Sequence, residues 1–322
     1  MSSYFVNRSL VSLGILFGVS VLVFTAMRLV PGDPITIMLG TADIADPKIV
    51  EEFRRSYGLD EPIPVQYWAW LSHLLTGDFG RSVVSRELVG DLLWRRLSAT
   101  FVLGSTAAVL ALSVGVLWGV ASAYVRGLLG WALRSAPLFF MALPSFSIGI
   151  ALAFVFAVWL RLLPSSGMQS PVDGGDAIDV LRHTLLPAVT LAVYPSAFTA
   201  RITQATIDEL QREDFVRTAH ASGIPPGRIA LFHVLPNALL PVLTNGGVMV
   251  GYMLTAAVFV EAVFAWPGVG AMMVGSVLNR DYPVVQAGAL LVAATFVVLS
   301  WIIDALYGLV DPRINMRGKP PQ

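Results

Sequence analysis

Six long stretches of this chain carry no charged side chain, and charged residues bound each of them at both ends. The bounding pairs are Arg8 and Arg28, Arg96 and Arg126, Arg134 and Arg161, Arg182 and Arg201, Arg228 and Glu261, and Asp281 and Asp304. A helix needs roughly 17 to 25 predominantly apolar residues to cross a bilayer, and every stretch supplies them. The pattern therefore predicts an all-α integral membrane protein with six transmembrane helices.

A seventh uncharged stretch lies between Glu261 and Arg280, but a Trp-Pro-Gly sequence at 266–268 interrupts it in its first third. Irregular backbone at membrane depth persists only where protein or water satisfies its polar groups. We therefore interpret residues 262–279 as a re-entrant or surface hairpin and not as a further span.

The distribution of lysine and arginine predicts that both ends of the chain are cytoplasmic. With that orientation, the short outside loops hold only Arg161, Arg182 and Arg280. The inside segments hold Arg8, Arg126, Arg134, Arg201, Arg212, Arg217, Arg228, Arg313, Arg317 and Lys319. Short inside loops of membrane proteins are enriched in basic residues, whereas a segment as long as 31–97 does not count toward this rule.

Along its length the chain divides into an N-terminal anchor helix (1–30), an extracytoplasmic segment (31–97), a five-helix core (98–310) and a cytoplasmic tail (311–322). The extracytoplasmic segment is expected to contain helices over about Pro47–Gly58, Pro64–Thr76 and Ser85–Leu97, the first of them capped by Asp46. The second helix carries its large apolar residues on one side. It is either part of a small cap packed on itself or an interfacial helix lying on the outer leaflet.

Charged and turn-forming residues gather in the loop between the fourth and fifth spans, at 202–236. Asp214 is a favourable N-cap for a two-turn helix over Phe215–Ser222, and Gly223 is expected to end that helix with a positive φ. The Pro-Pro-Gly sequence at 225–227 then forces a turn before a further helix. We expect a short, rigid elbow on the cytoplasmic face, joined directly to two membrane helices.

Composition narrows the classes of function that remain. The 322 residues are 56% apolar and only 13% charged, so lipid must be the solvent for much of the surface. The net charge is zero and no long basic run occurs, which gives no reason to expect binding of nucleic acid. The chain has no cysteine, and this excludes disulfides, thiolate metal sites and thiol catalysis. His183 and His233 lack a metal-ligand spacing, so no metal is expected.

The sequence shows no site at which this chain would hydrolyse a nucleotide, and no catalytic centre. The sequence has no glycine-rich phosphate loop ending in Gly-Lys-Ser or Gly-Lys-Thr, and its only lysines are Lys48 and Lys319. No cluster of catalytic residue types indicates an enzyme. A secondary transporter driven by an ion gradient remains an alternative, but it predicts paired ionisable residues at mid-membrane, and only Asp304 lies within a span, off centre.

At the elbow the sequence resembles the integral membrane permeases of binding-protein-dependent ABC importers. Their shared pattern is Glu-Ala-Ala, three residues, Gly, nine residues, then Ile-x-Leu-Pro. Here Arg217, Thr218 and Ala219 stand three residues before Gly223, and His233-Val234-Leu235-Pro236 follows nine residues after it. The spacing agrees, while the first two letters and the isoleucine differ.

The resemblance to the dipeptide and oligopeptide permeases of this group extends over nearly the whole chain. Similar segments are Arg28–Pro34, Gly58–Asp60, Gly77–Gly80, Pro144–Phe146, Asp214–Ala219, Pro267–Gly270 and Asp311–Arg313. The resemblance implies a multi-pass subunit of the bacterial cytoplasmic membrane that pairs with a second permease, two cytoplasmic ATPases and an external solute-binding protein. It implies no cofactor in this chain, because ATP and Mg²⁺ would bind the ATPases. Nickel, metallophores and glutathione are alternative cargoes to peptides.

The resemblance also suggests roles for particular residues. Asp214, Phe215, Arg217, Thr218, Ala219, Gly223, Leu235 and Pro236 would form the loop that couples to an ATPase. Pro144, Phe146 and Asp304 are candidates for lining the pore or for pairing helices, because an acid within the membrane is costly and is commonly functional. Glu261, Pro267 and Gly268 are candidates, by position, for an outer gate or for docking the binding protein.

Overall fold

A computed structural model describes residues 2–29, 60–170 and 175–310 of the chain. Within these ranges the regular structure is helical, apart from an isolated antiparallel bridge between Arg81 and Leu88. The helices are α1 (Ser2–Leu29), α2 (Ile63–Leu75), α3 (Val89–Tyr124), α4 (Gly127–Ala142), α5 (Ser145–Leu152), α6 (Ala177–Leu210), α7 (Asp214–Ala221), α8 (Pro226–Ile229), α9 (Leu235–Thr244), α10 (Gly246–Val263), α11 (Val269–Leu278) and α12 (Tyr282–Val310). A π-helical stretch, Ala153–Trp159, continues α5. Another, Ala230–Val234, joins α8 to α9.

The membrane spans agree with the predicted all-α class. In the described part of the chain, five helices are long and apolar enough to cross a bilayer, and a bent pair brings the number to six. The bent pair is α4 with α5 and its π-helical continuation, which meet at 103°. It corresponds to the third span expected between Arg134 and Arg161, whose bend the charge pattern does not report. The bend follows from Pro144, because the residue before a proline avoids the helical region and Leu143 is extended, with φ −84 and ψ 133.

The stretch expected to form one fifth span, from Arg228 to Glu261, folds as more than one helix. The α9 helix ends at Thr244, and the chain re-enters a helix at Gly246 as α10. The 34 positions of this stretch exceed what a single crossing requires. A short helix, α11, follows the Trp-Pro-Gly turn, so the expected hairpin at 262–279 contains a helical second limb.

The segment after the first span is only partly described. The helix expected over 47–58 lies outside the described residues. The helix expected over 64–76 is confirmed as α2, one residue earlier at each end. The helix expected to begin at Ser85 begins instead at Val89 and continues without a break to Tyr124. Arg86 has a φ of +63, and the Arg81–Leu88 bridge holds the preceding residues in a turn, which delays the helix.

Two units of the chain are each compact. One comprises Met1–Leu97 and Met272–Thr295, and its core holds Val89, Leu93, Val284 and Ala287. The other comprises Ser98–Ala271 and Phe296–Gln322. Within this second unit α6 is central, since it packs against α4, α5, α9 and α10.

A close crossing fixes α6 against α3 in the second unit. A Cβ atom added at Gly115 would stand 2.6 Å from Cβ of Thr199 and 2.8 Å from the carbonyl oxygen of Ser196. One turn later, a Cβ atom at Gly119 would stand 2.6 Å from the carbonyl oxygen of Ala200. Only glycine permits this approach, so the backbones of the two helices lie in close contact.

Candidate functional site

The elbow forms as the sequence predicts, with Gly223 ending the helix. Gly223 has a φ of +78, and its N–H donates to the carbonyl oxygen of His220 at 3.0 Å. The N–H of Ile224 donates to the carbonyl oxygen of Ala219 at 3.2 Å. These two bonds are the Schellman arrangement that satisfies the last carbonyls of a helix. A Cβ atom at Gly223 would meet nothing within 4 Å, so glycine is required there for its backbone angle and not for space.

Asp214 does not cap α7, contrary to the sequence-based expectation. The helix begins at Asp214, and the residue at the N-cap position is Glu213, which has φ −70, ψ 150 and no capping hydrogen bond from its side chain. The Asp214 carboxylate instead lies 3.4 Å from Nη1 of Arg217, and both side chains are exposed. An acid in the first turn still interacts favourably with the positive end of the helix dipole.

One face of α7 packs against neighbouring helices, and the other face is exposed. Val216 and Ala219 are buried in a cluster with Ile207 of α6 and with Ile229, Val234 and Ala238 beyond the elbow. Phe215, Arg217 and Thr218 point away from this cluster, and the Phe215 side chain is 41% exposed. The helix is therefore held rigidly on its neighbours while it presents an aromatic and a basic side chain outward.

The remaining elbow residues lie where the chain turns into the next helix. Leu235 and Pro236 begin α9, with Leu235 partly buried and Pro236 exposed. The π-helical stretch Ala230–Val234 immediately before them was not foreseen from the sequence.

Glu261 lies at the opposite end of the fifth-span region and is fully buried, at 0% exposure. Its Oε1 accepts a hydrogen bond from the Thr100 hydroxyl at 2.7 Å, and its Oε2 accepts one from the N–H of Ala271 at 3.0 Å. The same Thr100 hydroxyl accepts from the N–H of Val269 at 2.9 Å. Glu261 thus ties the start of α11 to α3, and in this conformation it offers no surface to an external protein.

The turn before α11 is packed around this carboxyl group. A Cβ atom at Gly268 would occupy the position of the Glu261 carboxyl group, so only glycine fits there. Trp266 is completely buried and donates its ring N–H to the carbonyl oxygen of Ala99 at 2.9 Å. Pro267 is partly buried between them. Sequence reasoning selected Glu261 and Gly268 but missed Thr100 and Trp266.

A second buried acid, Asp281, follows the end of α11. It is 3% exposed, and its Oδ2 accepts from the Ser82 hydroxyl at 2.5 Å while its Oδ1 accepts from the N–H of Val83 at 3.1 Å. Residues 82–85 form a turn in which the Ser82 Oγ also accepts from the N–H of Ser85 at 2.9 Å. The connection joins segments about 200 residues apart in the sequence, and both belong to the first unit.

The candidates for pore lining or helix pairing occupy distinct places. Pro144 stands at the bend between α4 and α5, and Phe146 is 45% exposed on the first turn of α5. Asp304 is partly buried in the C-terminal part of α12, which runs from Tyr282 to Val310. Its position agrees with the expectation that this acid lies off centre. Among the described residues, no group of three or more His, Cys, Asp or Glu side chains is arranged to hold a metal ion.

The chain was compared with known protein families, and two of them match it. A family described as the binding-protein-dependent transport system inner membrane component matches residues 111–316, and its N-terminal counterpart matches residues 1–104. The chain belongs to this family of inner-membrane permeases. The permease is accordingly a translocation subunit of an ABC importer and not an enzyme, which confirms the predicted class and location.

Individual relatives match the permease from end to end. It is 37% identical to the di/tripeptide transport system permease protein DppB of Pseudomonas aeruginosa, over 98% of this chain and 99% of that one. It is 37% identical to the oligopeptide transport system permease protein AppB of Bacillus subtilis, and 36% identical to the glutathione transport system permease protein GsiC of Escherichia coli. Both of these matches cover 98% of this chain and 100% of the relative.

A search of solved structures also gives a partial match. An inward-facing form of the MetNI methionine ABC transporter matches with a TM-score of 0.48 and 20% sequence identity, over 68% of this chain and 94% of that one. Membership of the permease family implies an ATPase and a solute-binding protein as partners in general terms.

Proposed function

We propose that this permease forms half of the translocation pore of a peptide importer, together with a second, homologous permease. The main support for a peptide cargo is the similarity to relatives named for di/tripeptide and oligopeptide transport, at 37% identity over 98% of the chain. The similarity includes the N-terminal segment as well as the core.

In this proposal, α7 is the coupling helix that receives the movement of one of two cytoplasmic ATPase subunits during ATP hydrolysis. The exposed residues Phe215, Arg217 and Thr218 enter a groove on the ATPase, while Val216 and Ala219 transmit force to the helices beneath. Because α7 is short, ended by the Gly223 turn and connected on both sides to membrane helices, movement of the ATPase moves those helices directly. Nucleotide state then biases two packings of the spans. ATP and Mg²⁺ bind the ATPases, and this chain holds no cofactor.

The close packing of α3 on α6 extends this movement. Since Gly115 and Gly119 bring the two helices into backbone contact, a displacement of α6 carries α3 with it. Thr100, on α3, holds the turn before α11 through Glu261 and Val269. We infer that this turn, with Pro267 and Gly268, closes the pore on the outer side, and that the bend at Pro144 with Phe146 lines it.

Transport in proteoliposomes tests the proposal. The permease is reconstituted with its partner permease, two ATPases and a binding protein, and uptake of a radiolabelled tripeptide is measured with ATP inside or outside the vesicles. We expect uptake only when ATP reaches the ATPases and the binding protein is present. Uptake driven by an ion gradient without ATP would instead favour a secondary transporter.

Glutathione is a second candidate cargo, since relatives named for glutathione transport match at 36% identity over 98% of the chain. A competition experiment separates the two. Uptake of radiolabelled glutathione that unlabelled glutathione abolishes, and that unlabelled tripeptides of varied sequence do not reduce, would assign glutathione as the cargo.

A further inference from the structure

The helix α2 packs against the middle of the first span. Tyr67 is buried, and its hydroxyl lies 2.8 Å from the hydroxyl of Ser20 on α1. The Tyr67 ring also contacts Phe17 and Phe24 edge to face, with ring centroids 6.3 Å and 5.4 Å away. Trp70, one turn later, lies 5.6 Å from the Phe24 ring. These contacts hold α2 along α1 and not beyond its end.

The depth of this contact follows from the sequence of α1. Ser20 lies eight positions before Arg28 and twelve after Arg8, with no charge between them. At a rise of about 1.5 Å per residue, Ser20 is about 12 Å from the nearer charged end of the span, whichever end faces outward. Since the hydrocarbon core is about 30 Å thick, Tyr67 meets α1 well inside it.

Several large apolar side chains of α2 that do not contact α1 are exposed. Ile63 and Trp68 are 63% and 60% exposed, and Val65 and Leu75 are 50% and 78% exposed. No residue from Ile63 to Leu75 carries a formal charge, apart from the titratable ring of His73. At 100° per residue, Ala69 and the exposed His73 share one narrow polar sector, and the exposed apolar side chains Val65, Trp68 and Leu75 lie outside it, with the small Ser72 between Trp68 and Val65.

We propose that α2 is immersed in the bilayer alongside α1, with Val65, Trp68 and Leu75 in contact with lipid acyl chains. His73, one turn beyond Trp70 toward the Arg28 end of α1, is exposed and faces the headgroups and water. A helix whose large exposed side chains are apolar and uncharged is suited to contact with acyl chains, and a polar side chain near its end is suited to the interface. A helix enclosed on all sides by protein would instead be apolar around its whole circumference.

This arrangement gives the segment between the first two spans a defined role. The α2 helix widens the membrane-embedded body beside α1 and holds the start of α3 near the bilayer through a short connection. The inference concerns where α2 lies and does not depend on which solute is transported.

Spin labels on the cysteine-free chain test the placement directly. Single variants Val65→Cys, Trp68→Cys and Leu75→Cys are labelled with a nitroxide in the complete transporter, reconstituted in liposomes of phosphatidylethanolamine and phosphatidylglycerol. Matched variants Ala69→Cys and His73→Cys place the label in the polar sector. Power saturation then compares collisions with oxygen, which concentrates in lipid, and with a water-soluble nickel chelate.

Lipid contact requires high oxygen and low nickel accessibility at Val65, Trp68 and Leu75, and the reverse at His73. High nickel accessibility at all positions would show that α2 lies in water and would overturn the proposal. Low accessibility to both reagents at Trp68 and Leu75 would show that the partner permease covers this face, which would overturn it as well.

Discussion

Removal of the Glu261 carboxyl group is expected to release the turn before α11. In Glu261→Ala, the Thr100 hydroxyl and the Ala271 N–H lose their acceptor at a site with no exposure. A buried donor left without a partner costs about 1–3 kcal/mol, so the two together cost about 2–6 kcal/mol. At 1.4 kcal/mol per factor of ten, local opening of the turn should rise between about 30-fold and about 10⁴-fold.

Hydrogen–deuterium exchange of the reconstituted transporter measures this opening. Peptides covering residues 264–271 should exchange faster by that factor, because Val269 and Ala271 lose their protection together. Glu261→Gln keeps the shape and one acceptor, so it should show a smaller change. As a matched control, Glu87→Gln removes an exposed acid that pairs with Arg95, and exposed ion pairs contribute only about 0–1 kcal/mol.

The result that refutes this reasoning is specific. If exchange of 264–271 in Glu261→Ala equals that of the wild type, the carboxyl group does not anchor the turn. If Glu87→Gln accelerates exchange there as much as Glu261→Ala does, the effect is a general loosening and the assignment to Glu261 fails.

Three further predictions concern close packing, the elbow and the second buried acid. Gly115→Ala should destabilise the purified permease by about 1–3 kcal/mol through its clash with α6, whereas Gly104→Ala, on the same helix with nothing within 4 Å, should not lower the melting temperature. Gly223→Val should cost about 1–2 kcal/mol because valine is strained at a positive φ, and it should reduce the stimulation of ATPase activity by the loaded binding protein. Gly223→Asn should reduce this stimulation less. Equal stimulation in Gly223→Val and the wild type would contradict the coupling role. Ser82→Ala should speed amide exchange of residues 82–85 by removing the bond to Asp281, and unchanged exchange there would argue against that connection.

The elbow could be predicted closely because its determinants are local. Glycine after a short amphipathic helix, followed by two prolines, leaves few backbone conformations, and Gly223 has the positive φ expected of it. The error at Asp214 arose because two acids are adjacent, and the extended residue that precedes the helix is Glu213. Propensity alone does not distinguish two neighbouring residues of similar capping preference.

The spans were predictable in number but not in shape. Charge-free length identifies a crossing, yet it does not report a bend of 103° at Pro144 or the division of the fifth region after Thr244. Proline tolerates either a kinked continuous helix or a full break, and tertiary packing decides between them.

The hydrogen-bond partners of the buried acids Glu261 and Asp281 could not be predicted from the local sequence. Thr100 and Glu261 are separated by 161 residues, and Ser82 and Asp281 by 199 residues. An acid at the edge of an apolar span signals that a partner exists, because burial without hydrogen bonds is costly. It does not indicate which of many threonines and serines supplies it.

The most direct test of the central claim is a disulfide or short cross-link from α7 to an ATPase subunit. The chain has no native cysteine, so Thr218→Cys on the exposed face and Ala219→Cys on the buried face form a matched pair. In the assembled transporter, Thr218→Cys should cross-link to cysteines placed along the ATPase groove, with a yield that changes on nucleotide binding, and Ala219→Cys should not. Failure of Thr218→Cys to cross-link anywhere on the ATPase, or its modification by an impermeant thiol reagent added outside intact cells, would contradict the account.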